Sequence, residues 1–239
     1  MNPASATVRW TDLGRRPYAE AWDLQRALVA RRRAGQGEDR LILVEHDPVL
    51  TLGRRGDPAH VLADRSALAL RGIPVFDVER GGDVTYHGPG QLVAYPILDL
   101  RGHRKDVRWY SLTLMATVVR TLAAFGIAAA AREGAETGVW VDLPNGGTGK
   151  IAALGVRIEQ WVTYHGVALN VDPDLTHFDL IVPCGLAGVR TLSMAGLLGR
   201  PIALAGVSDA FVAAFGAEFG VRMLEDRLPA LETMPEVQS

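Results

Sequence analysis

The chain has 239 residues, a formal net charge of −2 and 48% hydrophobic residues. That length supports an ordinary buried core, closing roughly 70–75% of the extended chain's surface without staples. The near-neutral charge excludes bulk electrostatic attraction to nucleic acid or to an anionic membrane. The opening stretch MNPASATVRWTDLGRR holds no apolar segment fit for a signal-peptide core, and no run reaches the ~18 apolar residues of a membrane span. A single cysteine, Cys184, cannot form an internal disulfide. The expected compartment is the cytoplasm, with neither nucleic acid nor membrane as partner.

In chain order, Pro17 to Ala34 predicts a helix, with proline in the first turn, Ala21, Leu24 and Leu28 on one face, and Gly35 closing it. Leu41–His46 and Val49–Leu52 read as strands separated by Asp47-Pro48. A short helix is expected from Asp57-Pro58 to near Arg71-Gly72, then a strand over Ile73–Val78, a glycine-rich segment at 80–90, and a strand over Leu92–Leu98. The strongest helical pattern is Val107–Phe125, with Asp106 as cap, Leu112, Ala116, Val119 and Leu122/Ala123 as its inner stripe, and Gly126 as its end. Ile127–Ala131, Gly138–Asp142, Ile151–Gln160 and Val162–Val171 are strand-like, the last two joined as a hairpin at Gln160-Trp161. Phe178–Leu186 reads as a loop, Val207–Phe219 as a helix with Phe211, Phe215 and Phe219 in register, and the tail from about Pro229 as loose. No repeat or linker interrupts the chain. Helices mixed with hairpins predict a single α+β domain spanning residues 1–239, with a mixed or antiparallel sheet flanked by helices.

Three segments carry candidate chemistry. In Arg80-Gly81-Gly82-Asp83-Val84-Thr85-Tyr86-His87-Gly88-Pro89-Gly90-Gln91, closely spaced glycines let backbone approach a ligand and turn N–H groups inward. A plain loop between strands is the alternative for the glycines alone, but the interleaved Arg, Tyr and His favour a site. In Asn145-Gly146-Gly147-Thr148-Gly149-Lys150-Ile151-Ala152-Ala153-Leu154-Gly155, the Gly-Lys pair does not make a phosphate loop. Ile151 stands where Ser or Thr would hold magnesium, and Pro144 where the leading glycine would stand. Lys150 opening an apolar strand is either a solvated gatekeeper or a positive charge beside a pocket. In Val182-Pro183-Cys184-Gly185-Leu186, the lone cysteine is either a small buried hydrophobe or a sulfur exposed on a turn whose N–H groups converge. His46, His60, His87, His103, His165 and His177 show no metal-ligand spacing, so no metal is expected. The absence of a G-x-S-x-G elbow counts against a serine hydrolase.

Together these segments resemble the octanoyl-acyl-carrier-protein:protein octanoyltransferases, also called lipoyltransferase B. The resemblance is carried by Leu52-Gly53-Arg54-Arg55-Gly56, the run from Arg80 to Pro96, Gly149 to Val156, His165-Gly166-Val167-Ala168-Leu169-Asn170, and Pro183-Cys184-Gly185-Leu186. Asp83 departs from it where glutamine is common, Val167 where leucine or phenylalanine is common, and Arg190-Thr191-Leu192 where Thr-Ser-Leu is common. The resemblance implies the fold of biotin and lipoate protein ligases. It also implies Cys184 as nucleophile with Lys150 as its catalytic partner, 34 residues earlier. Substrate-binding residues are expected among Arg80, Gly81, Gly82, Asp83, Val84, Thr85, Tyr86, His87, Ala153, Leu154, Gly155, Gly166, Val167 and Ala168. The implied donor is an acyl thioester on acyl carrier protein. The implied acceptor is a lysine on lipoyl domains of 2-oxoacid dehydrogenases or on the glycine-cleavage H protein, and no cofactor is required.

A free thiol is only about 3% thiolate at pH 7, and each pKa unit by which a neighbouring ammonium lowers it favours the nucleophile by about 1.4 kcal/mol. Lys150 suits that role, and in its neutral form it can take a proton from the acceptor amine. Backbone donors near Cys184 and Ala153–Gly155 are placed to hold the oxyanion. His87 is the competing base, as in papain-like proteases, and is expected instead to shape the site. Arg54 and Arg55 either meet acidic surfaces of the carrier or form a solvated loop. An ATP-dependent lipoate or biotin ligase on the same fold is the rival reading.

Overall fold

The computed structural model of the protein describes residues 6–144, 146–185 and 188–226, and of Cys184 only the backbone. The expected loose tail from Pro229 lies outside these residues, as do Asn145 and Leu186. In chain order the elements are β1 (Thr7–Arg16), α1 (Tyr18–Arg33), β2 (Arg40–His46), β3 (Val49–Leu52), α2 (Arg65–Leu70), β4 (Val75–Asp77), β5 (Val84–His87), β6 (Gln91–Ile97) and α3 (Val107–Ala124). They continue as β7 (Ala130–Arg132), β8 (Gly138–Asp142), β9 (Thr148–Glu159), β10 (Val162–Asn170), β11 (Arg190–Thr191), α4 (Met194–Leu198), α5 (Leu204–Phe219) and β12 (Arg222–Glu225).

Among the described residues, nine strands form one mixed sheet in the order β12-β1-β2-β6-β10-β9-β8-β7, with β11 parallel to the start of β9. The pairs β1–β2 and β1–β12 are parallel, and the central pairs are antiparallel. A second, three-stranded sheet runs β4-β3-β5. The large sheet is covered on one face by α3 and α5, whose Leu114, Val118, Phe211 and Phe215 pack on Leu43, Ala94 and Val167. On the other face Ala21, Leu24 and Leu28 of α1 pack on Ile42, Val93 and Ala168. This is the expected α+β architecture.

The hairpin at Gln160-Trp161 forms as anticipated, with both residues in the left-handed region (φ +48° and +70°), as a two-residue turn with the native strand twist requires. Asp106 caps α3 by accepting the N–H of Trp109 at 2.9 Å. The inner stripe of α3 differs from expectation. Leu112, Ala116 and Val119 are only half-buried and Ala123 is exposed, whereas Leu114, Met115, Thr117, Val118 and Thr121 are buried. The helix is apolar most of the way round and packs against both the sheet and α5, so periodicity alone left its inward direction open.

Other boundaries shift as well. The helix expected over 57–72 is a 3-10 turn at Pro58–His60 followed by α2, each capped by an aspartate, Asp57 or Asp64. The strand expected at Ile73–Val78 shortens to Val75–Asp77, and that at Ile127–Ala131 moves to Ala130–Arg132. The loop expected at Phe178–Leu186 contains 3-10 turns at Leu175–Leu180 and Pro183–Gly185. The N-terminal strand β1 went unrecognised because Thr7–Arg16 is largely polar and buries only Val8 and Thr11. Its pairing with β2, with a bulge near Gly14, exists only in the assembled sheet. No helix among the described residues is long and apolar enough to cross a membrane.

Candidate active site

The β9–β10 hairpin forms a floor that lacks side chains of any size. Ala153 pairs with Ala168 and Gly155 with Gly166, two rungs apart and so on one face. Above them, between the start of α1 and strand β5, lies a cavity. Small residues leave this room, and close packing forbids larger ones at one glycine. A Cβ on Gly166 would stand 2.0 Å from the carbonyl oxygen of Ala94 on β6.

A bulge in β9 sends Lys150 to the same side. Val139 of β8 pairs with Ala152 but Trp140 pairs with Lys150, leaving Ile151 as the extra residue. Ile151 and Ala152 both pack into the core beneath α3 and α5. Alternation therefore resumes with Lys150 and Ala153 lining a second cavity on the opposite face. Without the bulge Lys150 would point into the apolar core. Its Nζ lies 5.6 Å from the centre of the Trp140 ring, and the residue is 7% exposed. The reading of Lys150 as a solvated gatekeeper is thereby corrected, because burial on a sheet interior removes it from bulk water. Its chain crosses Gly138, where a Cβ would meet Lys150 Cε at 2.5 Å.

The two cavities are contiguous, sharing Thr85, Ala153 and Ala168. Of the residues expected to bind substrate, Arg80, Gly82, Asp83, Val84, Thr85, His87, Ala153, Leu154, Gly155, Gly166, Val167 and Ala168 line the first. Gly81 lies instead on an outer groove shared with Lys150, Arg55, His60 and Gly185. Tyr86 lines neither cavity nor groove. It alternates away from Thr85 and His87 on β5, and its ring packs on His177 and Phe178 beneath the small sheet.

The glycine segment spends its polar groups internally. The N–H of Gly81 donates to Val156 O at 2.9 Å, and that of Gly90 to Glu45 Oε1 at 2.7 Å. Arg80 is buried, donating to Thr51 O at 2.6 Å, to Thr51 Oγ1 at 2.8 Å and to Gly81 O at 2.9 Å, so its guanidinium braces the loop against β3. A Cβ on Gly155 would come within 2.9 Å of Arg80 Cδ, which explains one glycine of the floor.

His87 forms part of the cavity wall, stacked on Tyr18 with ring centres 6.1 Å apart. Its Nδ1 lies 3.2 Å from Gln91 Oε1, while Gln91 Nε2 donates to Asn170 Oδ1 at 2.9 Å. That network makes Nδ1 the protonated nitrogen. Burial, reinforced by His46 and Arg80 nearby, pushes its pKa well below the ordinary imidazole value. His165 reaches the cavity by a different device, a left-handed residue (φ +52°) inside β10 that stacks its ring on Tyr164 at 4.9 Å. Its Nε2 is 3.8 Å from Glu79 Oε2, and burial lowers its pKa too.

The Pro183–Gly185 turn lies at the open side of this system. Pro183 lines the second cavity and Gly185 the outer groove, and Lys150 lines both. Backbone bonds hold the turn, from Val182 N to His60 O at 2.8 Å and from Gly185 N to Val182 O at 3.0 Å. The Cys184 sulfur lies outside the described residues. Arg54 and Arg55 are exposed, with Arg55 on the outer groove. No group of three or more His, Cys, Asp or Glu among the described residues can hold a metal ion.

Sequence reasoning did not assign Tyr18, Val93, Tyr95 or His165 to the cavity wall, although Val93 and Tyr95 lie within a quoted segment and His165 heads another. Tyr18 opens α1, and no local pattern links it to a pocket built by strands that begin at Val84 and later.

Comparison with known proteins places this geometry. Residues 17–216 match the family model described as the lipoyl protein ligase A/B catalytic domain. An octanoyltransferase of Chloroflexus aurantiacus is 49% identical over 220 residues, covering 92% of this chain and 96% of its own. One from Gloeobacter violaceus is 47% identical over 207 residues, covering 86% and 87%. Among solved structures, the bi-partite lipoate protein ligase of the archaeal lipoylation system of Thermoplasma acidophilum superposes with a TM-score of 0.71. At 17% identity, it covers 95% of this chain and 89% of its own, and it shows a shared lipoate protein ligase-like fold. The chain belongs to the octanoyltransferase family, built on the lipoyl protein ligase A/B catalytic domain.

Proposed function

We propose that this octanoyltransferase of lipoate biosynthesis carries its acyl group as a thioester on Cys184, with Lys150 as the cation beside it. The observation that carries this reading is the shared lining. The residues on either side of Cys184 each line a cavity or groove that Lys150 also lines, although the two are 34 residues apart in sequence. An ammonium held against the Trp140 face offers a fixed positive charge to a neighbouring thiolate. The contiguous cavities supply an apolar channel leading away from that point, floored by Ala153, Ala168, Gly155 and Gly166.

In this reading the donor is an octanoyl thioester on acyl carrier protein and the acceptor is a lysine of a lipoyl domain, with the reaction in the cytoplasm. Cys184 thiolate attacks the donor carbonyl, the new sulfur–carbon bond replaces the carbon–sulfur bond to the carrier, and the carrier thiolate leaves and takes up the proton that Cys184 gave up on ionising. Exchange of one thioester for another is near thermoneutral, so no nucleotide is needed. His87 acts as wall and brace, since its Nδ1 is engaged by Gln91 and burial keeps its ring neutral. The direct test is intact-mass spectrometry of the protein as purified from a bacterial host. A fraction bearing a medium-chain acyl mass, mapped to Cys184 and released by hydroxylamine, is expected. Acyl mass on a lysine, acylation that survives Cys184→Ala, or transfer that requires ATP would refute the assignment.

A further inference from the structure

The Pro183–Gly185 turn rests on a histidine that the mechanism above leaves unused. His60 ends the 3-10 turn Pro58–His60, and its carbonyl oxygen accepts the N–H of Val182 at 2.8 Å. On the other side of Cys184, a Cβ built on Gly185 would stand 3.1 Å from His60 Cε1 and 2.5 Å from Asp83 Oδ2. His60 is thus packed beside the residues that bracket Cys184. Its side chain is 31% exposed and lines the outer groove together with Lys150 and Arg55.

Asp83 sets the chemistry of that ring. His60 Nδ1 lies 2.5 Å from Asp83 Oδ2, while Asp83 Oδ1 accepts the N–H groups of Asp57 at 3.0 Å and Val84 at 2.7 Å. An ionised carboxylate only accepts, so Nδ1 carries the proton and Nε2 presents a lone pair. Nε2 has no hydrogen-bond partner among the described residues. A carboxylate that orients one ring nitrogen and leaves the other free is the arrangement by which a histidine serves a neighbouring nucleophile.

We propose that His60 is the proton carrier of the transfer half-reaction and Asp83 its positioning residue, an inference that rests on the acyl-Cys184 intermediate. The acceptor amine nitrogen bonds to the thioester carbonyl carbon, and its proton passes to His60 Nε2. The carbon–sulfur bond then breaks with its electron pair on Cys184 sulfur, and the imidazolium returns its proton to sulfur or solvent. Amine and thioester become amide and thiol, with nothing else consumed. Two other groups are less suited to the task. Lys150 is 7% exposed and His87 is enclosed with Nδ1 on Gln91, so both are harder for an entering amine to reach. His60 is reached from the groove where a protein lysine must enter. Asp83 adds a negative charge that stabilises the imidazolium as it forms.

The test separates the half-reactions in the full chain. Octanoyl-pantetheine loads Cys184, and the loaded enzyme is then mixed with a lipoyl domain while intact mass is followed. His60→Asn is the informative variant, because its amide still donates to Asp83 and supports the turn but lacks the base. We expect loading near the parent rate and transfer slowed about 100-fold, the lower range for removal of a general base. The loss should appear in the maximal transfer rate and not in half-saturation by the acceptor. In His60→Ala, added imidazole should restore transfer about tenfold, and in Asp83→Ala, where the ring remains but is unoriented, it should not. Transfer by His60→Asn close to the parent rate, or a His60→Ala defect that imidazole leaves unchanged, overturns the proposal. A parent enzyme that never loads Cys184 removes the thioester itself, which is a separate failure.

Discussion

Replacing Ala153 by leucine should convert this enzyme from one that favours an eight-carbon acyl group to one that favours a shorter group. Ala153 lies at the junction of the two cavities and faces Ala168 across the β9–β10 ladder. The substitution adds three carbons to that floor and takes the room of about three methylenes of the acyl chain. At ~0.8 kcal/mol per buried CH₂ the octanoyl chain loses about 2.4 kcal/mol, or roughly 60-fold in kcat/KM. A butanoyl chain has little to lose beyond the junction and should stay within a few-fold of the parent. The assay compares kcat/KM for octanoyl and butanoyl thioesters in parent and variant, with thermal unfolding as a check on the fold. Equal losses for both chains, with the fold intact, would show that the cavity over Ala153 is not where the acyl chain lies.

Two further outcomes follow from the same geometry. Gly138→Ala should disable acyl-enzyme formation and destabilise the fold by about 1–3 kcal/mol, because the new methyl meets Lys150 Cε at 2.5 Å and Ala152 O at 2.6 Å where φ is +147°; an active, equally stable variant would mean that Lys150 does not need its path across Gly138. His46, fully enclosed between Arg16 O and the Tyr95 hydroxyl, is pushed by burial down to about 4. The folded protein therefore binds fewer protons here than the unfolded chain, so its stability is complete above pH ~6.5 and declines toward pH 4, by up to about 1.4 kcal/mol per pH unit. Urea unfolding at pH 7 and pH 5 should show a shallower decline for His46→Gln than for the parent, and parallel declines would contradict the assignment.

Much of this protein is legible in its residues. The helical faces of α1 and α5, the Asp106 cap, the Gln160-Trp161 hairpin and the α+β class follow from local periodicity and turn chemistry, which act over a few residues. The glycine-rich run, Lys150 and Cys184 stand out because their residue types are costly or reactive wherever they occur. Other features needed the assembled sheet. Lys150 faces the cavity only because one extra residue opposite β8 reverses the alternation, and a bulge is a property of two strands together. Tyr86 leaves the site, and His165 enters it, through strand facing and a left-handed backbone that no single-chain periodicity encodes. Tyr18 and Tyr95 join the cavity wall, and His60 pairs with Asp83, from segments apart in sequence. Local chemistry singles out the reactive residue types, whereas their juxtaposition depends on long-range pairing, whose energy comes from contacts formed only once the sheet is complete.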